Sequence, residues 1–183
     1  MRQNWQMWSG AVHPDVIDAI KKRAEDIALQ DATIFSGEEK NDGIRRSKVK
    51  WLSHDNATRN FLWQYIQHAN RNAFGFNTDN IGDIQYTEYD EADEGHYDWH
   101  HDINWSQDNA YDRKLSITVQ LTDGSDYEGG SFEFCEVPSP DADTSKKLGT
   151  VLVFPSYLQH RVTPVTKGKR ISLVGWFEGP RWK

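Results

Sequence analysis

The sequence predicts an α+β fold: an antiparallel jelly-roll core with amino-terminal helices packed on one of its sheets. Three observations carry that expectation. Apolar residues recur at helical spacing in the first 80 residues, whereas short runs rich in β-branched and aromatic residues fill the chain from residue 81 onward. Turn-forming residues separate those runs at regular intervals, as in sandwiches and barrels. Eight Trp, eight Phe and seven Tyr supply the bulk that sandwich cores and pocket walls use.

The first expected helix covers 14–29, because Val16, Ile17, Ile20, Ala24 and Ile27 recur near helical spacing and Pro14 suits a first helical turn. A second runs over about 56–73, with Phe61, Leu62, Tyr65, Ile66 and Ala69 on one side. Between them, 48–52 reads as a strand. The second half gives strands over 81–89, 114–121, 131–135, 150–154, 161–165 and 170–177. Asp123-Gly124-Ser125, Gly129-Gly130, 138–140 and Lys167-Gly168 are the turns between them, the last of these a hairpin.

The 183 residues suit a single domain, with 1–80 as mainly helical support and 81–183 as the core that carries the site. A net charge of −7 speaks against general nucleic-acid binding, which needs a cationic surface. Only 45–50 is locally basic, and it reads as a solvated strand face rather than a polyanion site. Cys135 stands alone, so neither an internal disulfide nor a two-thiolate metal site can form, and it is expected to be a small packed residue. No apolar stretch reaches membrane-spanning length, and the first residues lack the apolar run of a signal peptide. No membrane partner is therefore expected, and the location expected is cytoplasmic.

The segment 95–102 is dense in metal-ligand types. In an extended chain, residues i and i+2 face the same way, so His100 and Asp102 can aim at one ion while His101 points away. His96 and Asp98 form a second pair with the same spacing, and spacing alone does not choose between them. A third ligand has to come from elsewhere, and His160, after the apolar run 151–154 and Pro155-Ser156, is the candidate. Two His and one carboxylate make a facial triad that leaves open positions on iron(II) for a cosubstrate and O₂.

Downstream, Arg170, Ser172, Val174 and Trp176 share one strand face, and Ile171 and Leu173 take the other. With a hairpin centred near Lys167, Arg170 would lie opposite Val165, roughly 16 Å along the strand from His160 at about 3.3 Å per residue. An extended five-carbon dicarboxylate plus two side chains spans that gap. One end would chelate the metal, and the far carboxylate would meet the Arg170 fork and the Ser172 hydroxyl.

Taken together, these motifs resemble the 2-oxoglutarate and iron(II)-dependent oxygenases of the prolyl 4-hydroxylase type, including the PKHD-type hydroxylases. The matching signatures are Tyr97-x-x-His100-x-Asp102, Glu128-Gly129-Gly130, Val153-Phe154-Pro155-Ser156 and His160-x-Val162-x-Pro164-Val165-x-x-Gly168-x-Arg170-x-Ser172. They run in order over about 86–176. Arg46-Ser47 followed by Trp51-Leu52 is a weaker match to the family's amino-terminal region. The resemblance implies a double-stranded β-helix core, metal ligands His100, Asp102 and His160, and Arg170 holding the far carboxylate of 2-oxoglutarate. It puts Tyr89 near a cosubstrate-binding tyrosine, with spacing shifted by about one residue. Ser116 either faces the cosubstrate or decorates a solvated sheet.

The implied chemistry consumes 2-oxoglutarate and O₂, releases succinate and CO₂, and hydroxylates a C–H bond, with ascorbate a candidate activator. Family likeness favours a prolyl residue in a peptide or protein, and Tyr97 and Trp176 could line an aromatic groove for it or simply pack in the core. A small-molecule or nucleic-acid substrate is the alternative, and a non-catalytic jelly-roll binding module is a third. Acidic charge and the lack of a second suitably placed arginine weigh against nucleic acid.

Overall fold

The computed structural model describes residues 3–33, 41–106 and 108–183. Helix α1 (Pro14–Glu25) begins where Pro14 takes a first-turn position that needs no N–H, and His13 caps it by accepting from the Asp15 N–H. Helix α2 (Asn56–Ala69) starts at Asp55, whose carboxylate accepts from the N–H groups of Ala57 and Thr58 at 3.0 and 3.3 Å. Its expected last turn is instead a π-helical turn, Asn70–Phe74, stopped by Gly75 at φ 68°. Each helix buries one stripe: Ile17, Ile20 and Ala24 from α1, and Leu62, Ile66 and Ala69 from α2.

Those stripes cover one face of a large antiparallel sheet. Its strands are β1 (Gln6–Trp8), β2 (Gln30–Asp31), β4 (Lys48–Trp51), β5 (Gly82–Asp90), β7 (Tyr111–Gln120), β10 (Val151–Pro155) and β12 (Val165–Pro180). They run in the order β1-β10-β7-β12-β5-β4-β2, and β8 (Tyr127–Gly129) pairs with the start of β12. Leu115, Ile117, Val119, Val151, Val153, Leu173 and Phe177 meet the helices in one core. A smaller sheet orders β3 (Arg45–Arg46), β6 (His96–His100), β11 (His160–Val162) and β9 (Phe132–Phe134) as β3-β6-β11-β9. This mostly antiparallel two-sheet arrangement with helices on one face is the jelly roll that the sequence predicts.

Period two then sorts β12 and its neighbours. Alternate residues enter the helix-side core, and the others face the opposite way as paired rows. Arg170 pairs across with Tyr89, Ser172 with Thr87 and Gln120, Val174 with Gln85 and Thr118, and Trp176 with Asp83 and Ser116.

Four expectations need correction. Lys167-Gly168 is not a hairpin: β12 continues through it, pairing first with β8 and then with β5 and β7. The favoured two-residue hairpins, types I′ and II′, both need positive φ at the first central residue, and Lys167 lacks it while Gly168 has it, at 73°. The strand therefore bends rather than reverses, and Arg170 lies opposite Tyr89, not Val165. Second, the strand expected over 48–52 is not alone in 1–80, because β1, β2 and β3 join the sheets beside it. Third, Arg45 is not on a solvated strand face but is 7% exposed. Fourth, Cys135 is exposed rather than packed.

Candidate active site

Strand pairing builds the centre of the site. β6 and β11 run antiparallel with His100 directly opposite His160, which sets the two imidazoles 4.2 Å apart between ring centroids. Asp102 follows β6 and is pinned by its own N–H, which donates to the Ser156 carbonyl at 3.0 Å. Its Oδ1 lies 3.6 Å from His100 Nε2 and its Oδ2 3.5 Å from His160 Nε2, with all three side chains buried. Among the described residues, these three form the group whose ligand atoms fall within 4.8 Å of one another.

The hydrogen bonds decide which atoms face inward. His100 Nδ1 lies 2.7 Å from the Asp98 carbonyl and His160 Nδ1 2.8 Å from the Leu158 carbonyl. A carbonyl only accepts, so each Nδ1 carries a proton, and in a neutral ring Nε2 is then left with the lone pair. Burial first, then the neighbouring His160, pushes the His100 pKa down to about 3 and keeps that ring neutral. Burial pushes the Asp102 carboxyl up, but His160, His100 and the Ser116 hydroxyl outweigh it and hold it below the ordinary value. With both rings neutral, two imidazole nitrogens and an ionised carboxylate converge without a donor between them. Such a set fits a divalent cation, with Nε2, Nε2 and a carboxylate oxygen as its protein ligands.

A second layer holds the triad. Ser116 donates to Asp102 Oδ2 at 2.6 Å, and since that uses its only proton, Ser156 donates to Ser116 Oγ at 2.9 Å. Ser116 therefore faces Asp102 rather than the cosubstrate or solvent. The Tyr97 ring stacks on His100 at 3.4 Å and 7°, and the Arg45 guanidinium covers the outer face of Tyr97 at 4.5 Å. Arg45 itself donates to Gln85 Oε1 at 2.7 Å and Ser47 Oγ at 2.9 Å. Sequence reasoning missed this role. The only signal was the weak match at 46–47, one residue past the side chain that matters.

The other pair with the same spacing does not converge. His96 Nδ1 bonds the Glu94 carbonyl, and the exposed Asp98 caps the Trp99 N–H. His101 lines the outer cleft instead.

The cavity that begins at the triad is also lined by Tyr89, Tyr97, Arg170, Ser172 and Trp176, the residues expected to hold cosubstrate and substrate. Arg170 is buried, with Nη1 3.4 Å from Ser172 Oγ and its guanidinium 5.4 Å from the Tyr89 ring centroid. Among the described residues no carboxylate pairs with it. Instead the Tyr127 phenol lies beside it, held by Gln120 Nε2 at 2.9 Å. A buried guanidinium without a counter-charge carries a large desolvation cost, which an incoming anion offsets.

A family model, the 2OG-Fe(II) oxygenase superfamily, matches residues 84–178. The chain belongs to that superfamily. The match spans β5 to β12 and so includes the triad and Arg170. Within the superfamily, a PKHD-type hydroxylase of Synechococcus sp. (strain CC9311) is 41% identical over 85 residues, which is 46% of this chain and 37% of that protein. The chain thus spans little more than a third of the length of the curated relatives it matches. Among solved structures, a prolyl-4-hydroxylase from Pseudomonas putida superposes with a TM-score of 0.70 at 21% identity, covering 97% of this chain and 93% of that one. The viral collagen prolyl hydroxylase of Paramecium Bursaria Chlorella virus-1 gives 0.67 at 17% identity, covering 97% of both. At those identities the likeness establishes the fold. Among the described residues, no helix of the oxygenase chain is long and apolar enough to cross a membrane.

Proposed function

We propose that the protein is a 2-oxoglutarate-dependent iron(II) dioxygenase that hydroxylates a C–H bond of a prolyl residue in a peptide or protein. The observation that carries this reading is the opposite demand at two places in one cavity: lone pairs converging at the triad, and an unpaired buried guanidinium at Arg170. A divalent cation answers the first and a carboxylate the second, and 2-oxoglutarate meets both, its keto-acid end toward the metal and its far carboxylate toward Arg170. Bound together, iron, 2-oxoglutarate and O₂ supply the oxidation, in which the keto acid is converted to succinate and CO₂ and one oxygen atom enters the substrate.

The chain's own residues bind and orient. His100, Asp102 and His160 hold the metal, and Ser116 and Ser156 keep the carboxylate in place. Tyr89 and Ser172 border the cosubstrate beside Arg170. Tyr97 and Trp176 line the way to the metal, and the buried Trp176 Nε1–H has no partner among the described residues. The names of the matched relatives, prolyl-4-hydroxylase, collagen prolyl hydroxylase and PKHD-type hydroxylase, support the prolyl peptide as substrate. A lone cysteine supports a cytoplasmic location.

The test incubates the protein with iron(II), 2-oxoglutarate, ascorbate and a diverse set of proline peptides, and follows succinate and peptide mass. The expected result is iron-dependent succinate release with a gain of one oxygen atom on a peptide. Oxygen gained only by free proline or an oligonucleotide would reject the peptidyl substrate and leave the oxygenase reading in place.

A further inference from the structure

The Glu128-Gly129-Gly130 segment does not line the cavity, yet it packs against the arginine at the cavity's anion end. Glu128 is exposed and pairs with Lys167 at 3.1 Å, so what reaches Arg170 is Gly130, with Tyr127 before it. Gly130 sits at φ 56°, and its N–H donates to the Pro164 carbonyl at 3.0 Å. A Cβ there would stand 3.0 Å from Arg170 Cδ, from Tyr127 Cε2 and from Val165 Cγ2. The Arg170 stem and the edge of the Tyr127 ring thus both rest on bare Gly130 backbone, and a side chain would push one of them away.

Tyr127 is buried and is itself fixed. Gln120 Nε2 donates to its phenol oxygen at 2.9 Å and to the Thr122 carbonyl at 3.0 Å, which uses both protons of that amide. Lys146 stands over the ring, 5.4 Å from its centroid, and donates to the Gly129 carbonyl at 2.6 Å. The Arg170 guanidinium comes within hydrogen-bonding reach of the same phenol oxygen, where it is the donor. The other neighbours hold the guanidinium loosely. Its contact with Ser172 is 3.4 Å, at the long limit of a hydrogen bond, and Tyr89 offers it a ring face.

A guanidinium carries five N–H donors in one plane, so a bond to a fixed phenol sets that plane and leaves the remaining donors for a ligand. A fork oriented before the ligand arrives needs less ordering on binding. We propose that Tyr127 is a positioning residue for the cosubstrate. Seated on Gly130 and held by Gln120, it aims the Arg170 fork at the far carboxylate of 2-oxoglutarate. It thereby sets the preference for that dicarboxylate over a 2-oxo acid that lacks the far carboxylate. This rests on the oxygenase reading of the site.

The test measures, by titration calorimetry, the Kd of 2-oxoglutarate and of pyruvate for the Mn(II)-loaded protein. Pyruvate presents the same keto-acid end without the far carboxylate. Damage at the metal end weakens both ligands, whereas a misaimed Arg170 weakens 2-oxoglutarate alone. In Tyr127→Phe, which keeps the ring, the 2-oxoglutarate Kd should rise at least ~5-fold, the scale of one hydrogen bond to a charged group, with pyruvate within about twofold. In an Arg170→Lys background the same substitution should change the 2-oxoglutarate Kd by less than about twofold, because an ammonium has no planar fork to aim. An unchanged ratio of the two constants in folded Tyr127→Phe overturns the proposal. So does an undiminished effect in the Arg170→Lys background, which would make Tyr127 an independent contact. Should Tyr127→Phe not fold, Gln120→Leu, which frees the phenol, is read by the same ratio. Wild type that binds pyruvate as tightly as 2-oxoglutarate overturns the cosubstrate reading itself, and the positioning role falls with it.

Discussion

At the scale of single residues, the proposed metal centre depends on side chains outside the triad. Ser116 is fully buried, and its proton goes to Asp102 Oδ2. Ser116→Ala removes that bond and leaves a buried carboxylate oxygen short of a donor. Loss of such an outer-shell partner costs about 10–100-fold in metal affinity, so titration of Mn(II) into the variant should show a Kd raised by about that factor with the fold intact. Acid should act on the same centre. The metal-free folded state keeps His100 neutral down to about pH 3, chiefly through burial, whereas the unfolded chain takes up that proton near pH 6.5. The unfolded state therefore binds more protons below 6.5, and stability that is complete above 6.5 is lost as pH falls toward 3, by up to about 1.4 kcal/mol per pH unit. Thermal melts of chelator-treated protein from pH 7.5 to 5 should fall more steeply for wild type than for His100→Gln, and parallel slopes would remove His100 as the cause. That His100, Asp102 and His160 would come together was legible only through the family resemblance, because the period-two face alone fits His96 and Asp98 equally well. Arg45 was not, because a basic run on a two-residue strand reads the same whether it faces water or a ring, and only the pairing of β3 with β6 turns it onto Tyr97.

At the scale of elements, β12 carries the argument. The residues after Gly168 bring Arg170 and Ser172 to the cavity and Leu173 to the helix-side core, and that alternation could be read directly from the sequence. The hairpin expected at Lys167-Gly168 was wrong because a glycine with positive φ also serves a bend in a continuous strand. Pairing partners distinguish the two, and β8 lies about 40 residues upstream, beyond any local signal. Gly168 sits at φ 73°, and a Cβ there would come within 2.2 Å of the Asp126 carbonyl oxygen. Gly168→Ala should therefore destabilise the protein by roughly 1–3 kcal/mol, from left-handed strain plus a backbone clash. Denaturant unfolding measures it, and 2-oxoglutarate affinity should weaken with it, since β12 aims Arg170 from two residues away. An unchanged midpoint would mean that the bend is not constrained there.

At the scale of the whole molecule, function follows from how two sheets face each other. The small sheet supplies His100 and His160, the loop after it supplies Asp102, and the large sheet supplies Arg170. No single element holds both ends of the cavity. The jelly-roll class was legible from strand and turn spacing, but the amino-terminal strands were not. β1 and β2 are two or three residues long and take their order from long-range pairing with β10 and β4. Short edge strands carry little propensity of their own, so helical periodicity dominated the reading of that half. The central claim is that one cavity joins a metal end to an anion end. It is tested most directly by the dissociation constant of 2-oxoglutarate from Mn(II)-loaded protein, wild type against Arg170→Lys, with Mn(II) affinity measured on the same samples. Replacing a buried bidentate fork with a point charge loses part of an interaction on the order of 2–5 kcal/mol. The 2-oxoglutarate Kd should therefore rise at least ~10-fold while that of Mn(II) stays within about twofold. An unchanged 2-oxoglutarate Kd in a folded Arg170→Lys protein would contradict the account.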